Sequence, residues 1–190
     1  TELMKWDIME AYYPLCMSTA DSIKNGILPL WNAQLCFGTP TYALIGVPYW
    51  YPTTLFFEIA TGYSLRCVAT EYVIHVVLAC FGMYKLTRLL CNDDKLGIES
   101  SDCIAAICGL LYGFSGLFIS NAEHIMIIIS ATWIPWIFYF VYLYFAQKNK
   151  RFLLFAALFQ GLSILGGYPQ LWVITYIIAI PVFFYLIDDV

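Results

Sequence analysis

Long apolar runs fill residues 68–190 and predict helices that cross a membrane. A spanning helix needs roughly 20 apolar residues, and the run at 103–146 is about twice that length. It must therefore turn, and the segment GFSGLFISNAEH at 113–124 supplies the small and polar residues of a turn. The pattern predicts spans at about 68–90, 102–120 and 125–146 and a fourth at 152–187, formed by two short helices.

Residues 1–67 lack a spanning run and predict a region on the membrane surface. In residues 1–25, apolar side chains recur three and four apart, as on one face of a helix that Pro14 interrupts. Residues 52–67 are too short, and too broken by Gly62, to cross about 30 Å of hydrocarbon. We expect both segments to form amphipathic interfacial helices. The face predicted for the first consists of Leu3, Trp6, Met9, Tyr13, Cys16 and Met17.

Residues 24–52, KNGILPLWNAQLCFGTPTYALIGVPYWYP, form a segment that we call the aromatic roof. Its prolines and glycines argue against a long helix and for a series of turns. Its tyrosines and tryptophans suit a membrane surface, where the ring lies in the acyl boundary and the polar tip in water. We interpret this segment as the roof of a site. The chain then divides into an outer-face loop, 1–67, and a transmembrane bundle, 68–190.

The composition indicates an all-α polytopic membrane protein. The chain is 62% hydrophobic and 12% charged with a mean hydropathy of +0.76, whereas soluble proteins have roughly 45–50% apolar and about 25% charged residues. The net charge of −4 is scattered and gives no electrostatic case for nucleic acid. Neither a CxxC nor a Cys/His cluster points to zinc. Cys16 and Cys36 would share the outer face, which leaves a disulfide between them open.

The ends of the sequence indicate a fragment of a longer protein. The first residues, TELMKWDIMEAYY, contain neither an initiator methionine nor a signal peptide. The chain ends on an apolar run followed by Asp188 and Asp189. We expect at least one further span before Thr1.

Basic residues predict the orientation of the bundle. Two basic clusters follow the first and third spans, and the positive-inside rule places both in the cytoplasm. The N-terminal region and the turns at 121–124 and 166–170 then share the outer face. Glu71 and His75 lie in the first span and should face the protein interior or the headgroups, because a charge in lipid is costly. The clusters are Lys85, Arg88 and Lys95, and Lys148, Lys150 and Arg151.

Short motifs follow one another in order along the chain. The earlier ones lie in or ahead of the aromatic roof, and the later ones lie in or between the predicted spans. They are, ahead of the roof, Asp7 and EAYYP at 10–14, and then LPLWNA at 28–33, GTP at 38–40, Tyr51-Pro52, a histidine-containing helix at 75–88 that ends in a basic residue, a turn at 116–124, W-x-P at 133–135 and GGYPQ at 166–170.

This order of motifs resembles the YfhO family of bacterial membrane proteins over nearly the whole chain. Two positions depart from the family, Tyr168 where histidine is usual and Glu10 where glutamine is common. The resemblance implies a GT-C-like fold, a helical bundle with a large outer loop of interfacial helices. It also implies transfer of a sugar from a polyprenyl-phosphate donor to a cell-envelope polymer such as teichoic acid, on the outer face of the bacterial plasma membrane.

The resemblance nominates Asp7 as the base that takes the proton of the acceptor hydroxyl. A phosphate already leaves well, so one carboxylate can suffice. Glu10 would be a second carboxylate or part of a Mg²⁺ or Mn²⁺ site, because both metals prefer oxygen ligands. The three-residue spacing of Asp7 and Glu10 also fits a solvated helix face.

The implied donor phosphate and sugar need further outer-face groups. Lys24 and Arg66 could bind phosphate or anchor in the headgroups. His124 could bind phosphate or the acceptor, or cap a helix, and Trp31 could stack on a sugar or hold the roof. The amide candidates could bond sugar hydroxyls or turn backbone. The substrate-binding candidates are Lys24, Trp31, Asn32, Arg66, His124, Tyr168 and Gln170.

Two other classes of function stay open. A transporter of lipid-linked glycans would carry polar residues through the membrane, whereas the middles of these predicted spans are almost wholly apolar. A non-catalytic membrane scaffold would bind a partner enzyme through the outer loop. The scaffold predicts that Asp7 is dispensable and the aromatic roof is not.

Overall fold

The computed structural model describes residues 7–33, 35–44, 46–91 and 98–187, which are mostly helical. A π-helical turn, Ile8–Tyr12, leads into the first helix, and a strand pair, β1 (Trp31–Asn32) and β2 (Thr39–Pro40), lies in the aromatic roof. Leu3, Trp6, Lys95, Asp188 and Asp189 lie outside the described residues. The helices are α1 (Tyr13–Lys24), α2 (Pro52–Thr61), α3 (Leu65–Leu90), α4 (Ile98–Gly113), α5 (Gly116–Ile119), α6 (Ile125–Thr132), α7 (Ile134–Gln147), α8 (Lys150–Leu165) and α9 (Pro169–Ile187).

Three segments of the described chain are long and apolar enough to cross a membrane: Leu65–Leu90, Ile98–Ile119 and Ile125–Gln147. They consist of α3, of α4 with α5, and of α6 with α7. An α-helical membrane protein is therefore confirmed. Helix α8, with 16 residues, is shorter than the roughly 20 that a span needs.

The first span begins at Leu65, slightly earlier than the pattern predicts, because the chain turns sharply before it. Gly62 ends α2 with a φ of 79°, the left-handed conformation that glycine adopts readily after a helix. The backbone N–H of Ser64 then donates to the Cys67 thiol at 3.3 Å and helps to cap α3. The same turn carries Tyr63 into the protein interior, where it is 1% exposed.

The third span is interrupted at Trp133, between α6 and α7. Pro135 lies in the first turn of α7 and has no N–H to donate to the carbonyl of Ala131, four residues earlier. The Tyr112 hydroxyl of α4 donates to that carbonyl instead, at 2.8 Å. The interruption therefore becomes a contact between the second and third spans.

Helices α3 and α4 approach closely at two glycines. A Cβ on Gly109 would lie 2.7 Å from the carbonyl oxygen of Cys80, and one on Gly113 would lie 2.1 Å from its sulfur. Small residues at such crossings let backbones pack tightly where lipid offers no hydrophobic driving force. This crossing fixes α3, which carries the buried polar residues described below.

The face predicted for the N-terminal helix is right at Cys16, which is buried, and wrong at Met9 and Met17. Met9 and Met17 are 42% and 39% exposed, while a neighbouring row of side chains is buried. Both rows are largely apolar, so hydrophobicity alone could not choose between them. The π-helical turn favours a spacing of four, and this row carries the groups that contact buried carboxyls on α2 and α3. The buried row is Ile8, Tyr12, Cys16 and Ala20.

The aromatic roof consists of turns around the β1–β2 pair, as its prolines and glycines predict. Gly38, with a φ of 112°, lies under the Trp31 indole, where a Cβ would come within 2.6 Å of the ring. The suggested disulfide is absent: Cys16 is a buried free thiol and Cys36 an exposed one.

Candidate functional site

Asp7 and His124 come together at the outer end of the bundle as the sequence orients it. Nε2 of His124 lies 3.1 Å from Oδ2 of Asp7, and the side chains are 31% and 59% exposed, respectively. Asp7 precedes the π-helical turn, and His124 ends the turn that leads into α6. The fold thus brings two sequence-predicted residues from distant parts of the chain into one hydrogen-bonded pair.

The direction of the hydrogen bond between Asp7 and His124 can be assigned. The Asp7 carboxylate can only accept, so Nε2 of His124 carries the proton and donates it. On the other side of the ring, Nδ1 is buried and lies 4.0 Å from Oε1 of Glu123, too far for a hydrogen bond. Among the described residues, the second oxygen of Asp7 has no hydrogen-bond partner.

Glu10 is exposed within the π-helical turn and forms no ion pair with any described residue. Among the described residues, no three His, Cys, Asp or Glu side chains converge as metal ligands. A Mg²⁺ or Mn²⁺ ion bound by Asp7 and Glu10 would therefore draw its remaining ligands from substrate phosphate or water.

The two basic candidates lie near the junction of α2 and α3. Lys24 is exposed and reaches over Gly62, where a Cβ would come within 2.0 Å of its Nζ. Arg66 is exposed in the first turn of α3. On the roof, Trp31 is 62% exposed and available for stacking, and the adjacent Asn32 is half-buried in β1.

Tyr168 lies in the turn between α8 and α9, and Gln170 lies in the first turn of α9, near an apolar cleft of about 290 Å³. Tyr168 is half-buried and Gln170 is exposed. The aromatic roof forms one wall of the cleft, and the end of α8 with the following turn forms the other. Residues lining the cleft include Tyr42, Leu44, Trp50, Ile164, Gly167 and Pro169.

A buried polar cluster, which sequence reasoning did not predict as a unit, is centred on Glu71. Its carboxylate is 0% exposed. Oε1 accepts from Thr53 at 2.5 Å and from Thr54 at 2.6 Å. Oε2 accepts from Tyr63 at 2.8 Å and from Tyr12 at 3.3 Å. Burial raises the pKa of both tyrosines, so their hydroxyls keep their protons and remain donors.

His75, one turn after Glu71, links this cluster to the third span. Nδ1 lies 2.7 Å from the carbonyl oxygen of Glu71, and because a carbonyl only accepts, Nδ1 carries the proton. Nε2 then accepts from the Tyr51 hydroxyl at 2.9 Å. Trp133 donates its indole N–H to the same hydroxyl oxygen at 2.9 Å. The result is a directed chain of hydrogen bonds from Trp133 through Tyr51 to a neutral His75.

Glu58 of α2 is a second buried carboxyl, but it lacks the hydrogen bonds that Glu71 receives. It is 0% exposed, and neither oxygen has a hydrogen-bond partner of good geometry among the described residues. Burial raises its pKa to about 8; the Cys16 thiol lowers it in part, and the charge of Glu71 raises it further. The Tyr49 hydroxyl, also buried, has no partner in the described chain either. Glu58 is therefore a neutral acid at pH 7.

The sequence contained only a partial signal for these groups. The position of Glu71 and His75 in an apolar run predicted that they face the protein interior or the headgroups, and the structure buries both, at 0% exposure. Glu58 stood in a segment assigned to the membrane surface, where a carboxyl needs no explanation. Its burial follows from the packing of α1 on α2, which no local pattern reveals.

The described chain is thus an α-helical membrane protein with a partly exposed Asp–His pair and a buried polar cluster. Comparison with protein-family models, curated proteins and solved structures gives no match. The functional argument therefore rests on the residues and their geometry.

Proposed function

We propose that the protein is a membrane glycosyltransferase that moves a sugar from a polyprenyl-phosphate donor to a cell-envelope polymer such as teichoic acid. One observation carries the proposal: Asp7, nominated as the base by the motif series, lies exposed and hydrogen-bonded to His124 at 3.1 Å. A carboxylate with one oxygen held by a neighbour and the other free is suited to orient and deprotonate a hydroxyl.

The proposed reaction is a direct displacement at the anomeric carbon. The acceptor oxygen attacks that carbon while its proton passes to the free oxygen of Asp7. The bond between the anomeric carbon and the phosphate oxygen breaks, and the polyprenyl phosphate leaves with the electron pair. His124 fixes the carboxylate by donating from Nε2. Because the phosphate is a good leaving group, no second acid is required.

The remaining candidates supply binding. Lys24 and Arg66 are exposed cations near the α2–α3 junction and suit the donor phosphate. Trp31 offers an exposed ring for sugar stacking. Asn32, Tyr168 and Gln170 would bond sugar hydroxyls. The apolar cleft under the aromatic roof suits part of the donor's isoprenoid chain.

This function places the protein in a bacterial plasma membrane, with its active face outside. The basic clusters support that orientation, since Arg88 lies in the last turn of the first span and Lys148 directly follows the third. Membrane lipid surrounds the bundle, and the proposed ligands are the lipid-linked sugar and the polymer acceptor.

A transfer assay tests the proposal. Full-length protein in proteoliposomes would receive a polyprenyl-phosphate-linked radiolabelled sugar and an envelope polymer, and we expect label in the polymer. His124→Gln should lower the rate while preserving donor binding, because it loosens the carboxylate. Arg66→Gln should raise the KM for the donor. Absence of transfer with any polyprenyl-phosphate sugar would refute the proposal.

The buried chain from Glu71 through His75 to Tyr51 gives specific support to one alternative, a proton-coupled transporter of lipid-linked glycans. Ionisable residues within spans often mark proton pathways. The same proteoliposomes distinguish the two: a transporter would move the labelled lipid between leaflets without breaking the sugar–phosphate bond.

A further inference from the structure

At the opposite end of α3, a basic cavity opens at the level expected for lipid headgroups. Its volume is about 270 Å³, and Lys85, Arg88 and Leu89 of α3 and Tyr139 of α7 line it. Lys85 lies five residues before the end of the span, about 7.5 Å along the helix axis, and Arg88 lies two residues before it, about 3 Å. Long basic side chains at that depth reach the headgroup layer.

The two cations of this cavity differ in how they are paired. The Arg88 guanidinium is held by Asp102, 2.8 Å away, and by the Tyr84 hydroxyl at 3.1 Å, so its position is fixed and its charge is balanced. Lys85 forms no ion pair with any described residue. Its ammonium lies over the Phe81 ring, 5.3 Å from the centroid. Among the described residues, the charge of Lys85 is therefore not balanced by a carboxylate, whereas that of Arg88 is.

The other walls suit an amphipathic ligand. Phe81, 47% exposed, continues from Lys85 towards the centre of the membrane and can contact an acyl chain. The Tyr139 hydroxyl, half-buried, forms no hydrogen bond within the described chain and can donate to an oxygen. A phosphate between Lys85 and Tyr139 would meet a charge and a hydroxyl donor, with apolar surface directly below.

We propose that this cavity binds the phosphate of an anionic phospholipid, with Lys85 as its main contact and Arg88 as a second donor. A phosphodiester head carries a negative charge that the Lys85 ammonium can meet, and its acyl chains can contact Phe81. The site does not depend on the proposed glycosyl transfer, because it lies at the other end of the bundle.

Native mass spectrometry of the full-length protein tests this site. Protein extracted from vesicles of equal phosphatidylglycerol and phosphatidylcholine should retain phosphatidylglycerol in excess. Lys85→Gln should reduce that retention about fivefold, the effect of removing one lysine charge near an anionic surface. Lys150→Gln, an exposed lysine after the third span, is the matched control and should leave retention unchanged.

Three outcomes would overturn the proposal. Equal retention by Lys85→Gln and the unaltered protein would show that Lys85 does not bind lipid. An equal loss in Lys150→Gln would show a general charge effect. Displacement of the lipid by 10 mM inorganic phosphate would show that the cavity binds free phosphate and not a lipid head.

Discussion

Replacing Glu58 with glutamine should change how the stability of the protein depends on pH. Glutamine keeps the shape of the side chain and is neutral at every pH. Glu58 is fully buried, and burial raises its pKa from 4.5 to about 8 in the folded protein. The unfolded chain exposes the same carboxyl to water, where it ionises above about 4.5.

The direction of the effect follows from proton binding. Between pH 4.5 and about 8 the folded protein holds a proton on Glu58 that the unfolded chain has lost. Raising the pH therefore favours unfolding by about 1.4 kcal/mol per pH unit, or roughly 5 kcal/mol over the whole interval. Glu58 contributes its full stabilisation below pH 4.5, and no further loss occurs above about pH 8.

Thermal unfolding in detergent, followed by tryptophan fluorescence from pH 5 to 9, measures this contribution. The Tm of Glu58→Gln should be close to that of the unaltered protein at pH 5. As the pH rises to 8, the Tm of Glu58→Gln should increasingly exceed that of the unaltered protein. The difference should reach about 10 °C, because each kcal/mol shifts the Tm by roughly 2–4 °C. Glu10→Gln, which removes an exposed carboxyl, controls for surface charge. Parallel pH profiles for Glu58→Gln and the unaltered protein would refute the reasoning.

Two further substitutions test the packing around the site. Tyr51→Phe should lower the free energy of unfolding by about 1–3 kcal/mol, because it leaves the buried Trp133 N–H without its acceptor. The control Tyr42→Phe changes a residue that is 69% exposed and should leave the free energy of unfolding unchanged. Equal Tm values for the two variants would contradict the hydrogen-bond chain. Gly109→Ala should lower the Tm, because the added methyl group separates α3 from α4. Gly161 has open space around it, so the control Gly161→Ala should leave the Tm equal or higher. An unchanged Tm for Gly109→Ala would mean that the two helices cross less closely than described.

The spans could be predicted from sequence because their cause is local. A run of apolar residues of bilayer length has few alternatives to a membrane helix, and the first three of the four predicted spans overlap the three found in the described chain. Their ends were less accurate. Leu65 begins α3 because Gly62 and Ser64 build the preceding turn, and capping of this kind depends on backbone conformation as well as residue type.

The buried cluster could be predicted only in part, because its contacts join distant segments. Tyr12 and Glu71 meet through the packing of the N-terminal segment on α3, and Tyr51 reaches His75 from the aromatic roof. Where both faces of a helix are apolar, as around Met9 and Met17, the choice depends on what the partner helix offers. Here α2 and α3 carry the buried carboxyls Glu58 and Glu71, and the face of the N-terminal helix that contains Tyr12 is buried against them.

The most direct test of the proposed function is Asp7→Asn in the full-length protein in its own membrane, with insertion verified and sugar incorporation into the envelope polymer measured. We predict a fall of about 10²- to 10⁴-fold, the usual contribution of a general base, while Glu10→Gln only weakens incorporation. Full incorporation by Asp7→Asn would contradict the catalytic assignment, and the outer loop would then be a binding surface.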